Sequence, residues 1–86
     1  MDSILSSITI AQLHIIEDQL TNNEVSSDQE LLDDFIAYGL TEAQARQALT
    51  YRSKYLSNIY LDGSTPILKG DQALRFNPDS RKFQPV

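Results

Sequence analysis

The sequence predicts an α+β fold, with helices first and a small β-hairpin last. Two observations carry this. Three capping-box signatures each precede apolar residues at helical spacing, and the periodicity changes after a turn cluster at Asp62-Gly63-Ser64-Thr65-Pro66. Eighty-six residues leave room for one domain. Residues 1–60 are expected to form its helical part. Residues 61–86 are expected to form the turn, the hairpin and a loose C-terminus.

Thr9 and Gln12 make the first capping box, ahead of Ile10, Leu13, Ile16 and Leu20. Ser27 and Glu30 make the second, ahead of Leu31, Leu32, Phe35 and Tyr38. Gly39 suits the left-handed position that ends that helix. Thr41 and Gln44 make the third. The helix it opens carries Ala45, Ala48, Leu49, Leu56 and Ile59 on one face and is expected to reach about Tyr60. Beyond Pro66, Ile67-Leu68 is a short extended candidate. Leu74-Arg75-Phe76 and Arg81-Lys82-Phe83 then flank a turn at Asn77-Pro78-Asp79-Ser80. That turn would place Phe76 opposite Arg81, Arg75 opposite Lys82 and Leu74 opposite Phe83.

Residues 4–8 fit either a backward extension of the first helix or a short strand. As a helix, Ile4, Ile8, Ala11 and Ile15 make one apolar stripe, and Leu5, Leu13, Ile16 and Leu20 another. One core needs only one stripe, so Ile4, Leu5, Ile8 and Ile15 are candidates for a partner or self-association surface.

Composition removes several classes of function. With no cysteine, disulfide scaffolds, cysteine-ligated metals and cysteine nucleophiles are excluded. No apolar run approaches the roughly 20 residues of a membrane helix. The N-terminus lacks the positive region of a signal peptide, which predicts a cytoplasmic chain. His14 is the only histidine and has no sequence neighbour to orient it as a base. Asp33 and Asp34 point about 100° apart on a helix, with no third ligand spaced to join them. The three glycines are scattered, so there is no phosphate loop. No enzyme activity, cofactor, metal or small-molecule substrate is expected.

The net charge of −5 is unevenly spread. Residues 1–40 hold eight acids and no Lys or Arg, while residues 41–86 hold all seven bases against four acids. Such a division points to an interaction surface, or to acids gathering at helix starts. Arg75 and Lys82, directly opposed in the expected register, would repel one another. With Lys69 they are candidates to contact an anionic partner. Arg52 falls on the core face of the third helix, and its head is expected to snorkel out or pair with Asp33 or Asp34.

The segment from Phe35 to Leu49 resembles two families. Tyr38-Gly39-Leu40 with Ala45, Ala48 and Leu49 is similar to the first two helices of ubiquitin-associated-type three-helix domains. Gly39, Leu40, Thr41, Ala45 and Ala48 also resemble a helix-turn-helix, although Asp34 and Phe35 depart from its pattern. Three helices followed by a hairpin is moreover the order of a winged helix. That resemblance implies DNA binding by the third helix, through Gln44, Gln47, Tyr51, Lys54 and Asn58, with the hairpin as wing. The acidic balance opposes approach to phosphates. The sequence therefore favours a non-catalytic regulatory or adaptor protein that binds another protein or a second copy of itself. A winged-helix DNA binder is the alternative.

Overall fold

All three capping boxes start helices. A computed structural model describes residues 1–85 and shows an α+β fold: α1 (Ile10–Asn22), α2 (Asp28–Ala37), α3 (Glu42–Leu49), α4 (Arg52–Ser57), α5 (Pro66–Lys69), β1 (Leu74–Asn77) and β2 (Lys82–Pro85). At each box the cap hydroxyl accepts the N–H of the third helical residue, whose side chain accepts the cap's own N–H. α2 stops as its glycine requires. Gly39 takes φ +103°, its N–H donates to the Ile36 carbonyl, and the N–H of Leu40 donates to that of Phe35. These are the paired bonds of a Schellman ending. Gln12 also donates from Nε2 to the Tyr38 carbonyl at 3.0 Å, so the first capping box helps hold the end of α2.

The third predicted helix breaks into two. Thr50 and Tyr51 bond back three residues rather than four, and the Thr50 hydroxyl donates to the Gln47 carbonyl at 2.6 Å. A hydroxyl bonding back to its own helix competes with the regular ladder and bends it. The regular ladder is interrupted there, and α4 ends at Ser57, short of Tyr60. Ile59, expected in the core, is 65 % exposed.

Residues 3–7 are neither helix nor strand but a turn. Asp2 dictates this, because its Oδ1 accepts the N–H groups of Ile4 and Leu5. The continuous apolar stripe through Ile4 and Ile8 is therefore not present. Leu5, expected on a partner surface, is fully buried, and Ile8 packs against the core. Ile67-Leu68 is also helical rather than extended. Thr65 caps it by accepting the Leu68 N–H, and Pro66 sits where a missing N–H costs nothing.

The hairpin forms two residues out of the expected register. Asn77 faces Lys82, Phe76 faces Phe83, Arg75 faces Gln84 and Leu74 faces Pro85. Asn77 Oδ1 accepts the Asp79 N–H, and the Asn77 carbonyl accepts that of Arg81, which takes φ +56°. The loop thus runs through Arg81. A shift of two keeps every side chain on its face, so Phe76 and Phe83 meet edge to face at 5.5 Å. Arg75 and Lys82 are not directly opposed, and the repulsion inferred from that pairing is absent.

Ile59–Leu61 runs along the other edge of β1. The Ile59 carbonyl accepts the Phe76 N–H at 2.7 Å, and the Leu61 N–H donates to Leu74 at 2.9 Å. With Leu74 and Phe76 bonding that way, Arg75 and Asn77 bond toward β2, so Phe83 and Pro85 present the free edge. Pro85 has no N–H to offer there. Such an edge is a poor template for a further strand.

The core joins Leu13, Ile16 and Leu20 of α1 to Leu31, Leu32 and Phe35 of α2, with Leu5, Leu40, Ala45, Ala48, Tyr55 and Ile67 filling in. α1 packs on α4 and α2 on α3. Between these pairs, Arg52 crosses to the α1–α2 loop. Its Nη2 donates to the carbonyls of Asn23 and Ser26, and its Nη1 to Asp28 at 2.7 Å. The partner is thus Asp28 and two carbonyls, not Asp33 or Asp34.

Gly39→Ala is expected to cost about 1–2 kcal/mol, from the positive φ and a Cβ only 2.8 Å from Gln12 Nε2. Arg52→Met keeps the apolar stem but strands the carbonyls, and is expected to cost about 2–4 kcal/mol. Asp28 is exposed, so Asp28→Asn should cost under about 1 kcal/mol. Urea denaturation checks all three.

Candidate protein-docking surface

The N-terminal turn lies against α3, on the face that the DNA-binding alternative would use. Asp2 Oδ2 accepts from Gln47 Nε2 at 2.8 Å and from the Tyr51 hydroxyl at 2.6 Å. Gln44 Nε2 donates to Ser7 Oγ at 2.8 Å. The Asp2 N–H donates to the Ile67 carbonyl, so the strap is tied at both sides. Of the five residues proposed for base or phosphate contact, Gln44, Gln47 and Tyr51 make internal bonds and Lys54 is exposed. Asn58 turns toward the hairpin, where it meets Arg75 Nη1 at 3.4 Å.

The residues proposed for partner binding are dispersed. Ile4 and Ile15 are partly exposed, at 46 % and 39 %. Lys69 ends α5 and Lys82 lies on β2, both exposed. Arg75 lines one of two adjoining concavities. One, of about 640 Å³, lies between the end of α4 and the hairpin, against Leu56, Ile59, Phe76 and Pro78. The other, of about 320 Å³, lies between α1 and the segment after α4, against His14, Glu17, Asp18, Tyr60 and Asp62. Thr21, Tyr55, Asn58 and Ile59 line both, so the two adjoin along these residues as a shallow trough.

Sequence reasoning missed this trough because periodicity assigned Ile59 to the core. The signal that could have found it was Asn58, a weak helix former, ahead of the strand-prone Ile59-Tyr60-Leu61. The trough floor is rigidly built. Tyr55 is 3 % exposed, and its hydroxyl donates to Glu17 Oε2 at 2.5 Å. Burial, reinforced by that carboxylate, pushes its pKa well above the usual tyrosine range. Tyr55 therefore stays a neutral donor and fixes Glu17 at the trough wall.

Among the described residues, no group of three or more His, Asp or Glu is placed to hold a metal ion. No helix among them is long and apolar enough to cross a membrane. No family model, curated protein or solved structure matches the chain.

The strap should respond to pH at both extremes. Burial raises the Asp2 carboxyl, but the bonds from Tyr51, Gln47 and two backbone N–H groups outweigh it and hold its pKa below the usual value. Its contribution is present above the ordinary carboxylate pKa and is lost as pH falls through the lowered one. Burial, then the Asp2 acceptor, pushes the Tyr51 pKa up to about 12. That contribution is full below pH 10 and disappears as pH rises toward 12. Tyr51→Phe is expected to cost about 1–2 kcal/mol at neutral pH. It should also flatten the alkaline fall in a stability–pH profile, which denaturation across pH 10–12 checks.

Proposed function

We propose that this protein is a small, non-catalytic regulatory or adaptor domain that acts by binding another protein, and that the trough around Ile59 is its docking surface. A cytoplasmic setting and the absence of a cofactor belong to the same reading. The exposure of Ile59 is the observation that carries it. A large aliphatic side chain stands 65 % exposed where two concavities adjoin, beside buried Tyr55. Recognition grooves for peptides and helices share this make-up, with apolar anchor positions inside a polar rim. The net charge of −5 also suits a protein partner better than a phosphate backbone. Winged-helix DNA binding has less support, because Asp2 and Ser7 already engage Gln44, Gln47 and Tyr51.

Affinity capture with tagged wild type and Ile59→Ser, each with and without nuclease, tests the reading. Because Ile59 is exposed, the substitution should change stability by no more than about 0.5 kcal/mol. A specific protein should be retained through nuclease treatment and lost with Ile59→Ser. Capture that requires nucleic acid, or that Ile59→Ser leaves untouched, would overturn the assignment.

A further inference from the structure

We infer that the trough's partner presents an apolar side chain beside a lysine or arginine, the apolar group seated against Ile59 and Phe76 and the cation lying between Glu17 and Asp62. This rests on the docking reading above and specifies its chemistry. The two ends of the trough differ. The hairpin end is lined by Leu56, Phe76 and Pro78, and its Arg75 and Asp79 offset one another in charge. The α1 end is lined by Glu17, Asp18 and Asp62, and neither Lys nor Arg lines it.

These carboxylates are differently prepared. Among the described residues, Glu17 uses one oxygen to accept from Tyr55, and Asp18 uses one to accept from Asn22 at 2.9 Å. Asp62 accepts no side-chain hydrogen bond and forms no ion pair there. A cation entering this end therefore meets oxygens with acceptor capacity left. The Tyr60 ring, tilted against Tyr55 at 5.6 Å, supplies an electron-rich surface beside them.

Charge complementarity selects the occupant. Arg75 is the only Lys or Arg lining either part of the trough, and Asp79 lines the same part. The trough is therefore negative as a whole and repels an acidic segment. An amphipathic helix with Leu on one face and Lys beside it satisfies both halves.

The probe is a Leu/Lys amphipathic peptide of roughly 14 residues, about four turns. Controls replace every Lys by Glu, or every Leu by Ser. Backbone amide shifts of the isotope-labelled protein report the site, and anisotropy of a labelled peptide reports affinity. The Leu/Lys peptide should shift residues of α1, the 58–62 segment and β1, and the Leu/Glu peptide should not bind. Glu17→Gln with Asp62→Asn should weaken binding at least about tenfold, which is roughly 1.4 kcal/mol. The amide oxygen introduced by Glu17→Gln can still accept from Tyr55, so folding should persist, as circular dichroism would confirm. Asp33→Asn with Asp34→Asn, at exposed positions of α2 that line neither part of the trough, should leave affinity unchanged.

Equal loss in the α2 variant would show diffuse charge attraction and overturn the inference. So would binding of the Leu/Glu peptide, equal binding of the Lys/Ser peptide, or no binding of any peptide. Self-association in sedimentation, reversed by Ile59→Ser, would assign the trough to a second copy and also overturn it. The docking reading fails separately, if Ile59→Ser leaves protein capture unchanged.

Discussion

The guanidinium of Arg52 is the constraint around which this fold is arranged. It sits on the face of α4 that periodicity assigns to the core, where a charge is tolerated only if it is well partnered. The partners come from the loop between α1 and α2. Two carbonyls there have no helical donor, and Arg52 supplies one to each. The same loop is braced from within by Asn23, which donates to Gln19 and Ser26 and accepts from two backbone N–H groups. The Asp28 contact adds less, since that carboxylate is largely in water.

The break at Thr50 stands next to this anchor. Tyr51 reaches Asp2 while Arg52 reaches the α1–α2 loop. The N-terminal strap and the interhelical loop are thus tied to successive residues at this break. Downstream, α4 is short enough to release Ile59–Leu61 onto the edge of β1. That step creates the trough, because it separates Ile59 from the core and sets it between α1 and the hairpin.

Charge follows the same geometry. Acids at the starts of α2 and α3 suit the helix dipole, and Glu30 is further committed to its capping box. Its pKa is lowered by the bonds to Ser27. The acids lining the trough have no such explanation. Glu17 lies well inside α1, and Asp62 lies in a turn. The acids of the first half thus serve several ends: Asp28 and Glu30 a helix start, Asp2 the N-terminal turn, and Glu17 and Asp18 a concavity.

Local chemistry determined what the sequence by itself could state. Capping boxes, the Gly39 stop and the turn at Asp62-Gly63 depend on residues within four of one another, and each appears as read, whereas Thr65 and Pro66 of that cluster start a helix. So does the order of helices and hairpin. Tertiary structure decided where a local pattern had two outcomes of similar energy. Asp2 turned residues 3–7 away from helix and drove Leu5 inward, because its partners Gln47 and Tyr51 lie far along the chain. The hairpin kept its faces but moved by two residues, since period-two patterning is blind to a shift of two. Thr65-Pro66 was a legible helix start that a short apolar pair concealed. The trough was least legible of all. Ile59 obeys the helical period of α4, but the extended backbone at Asn58 and the bond from Phe76 to the Ile59 carbonyl show that the helix has already ended.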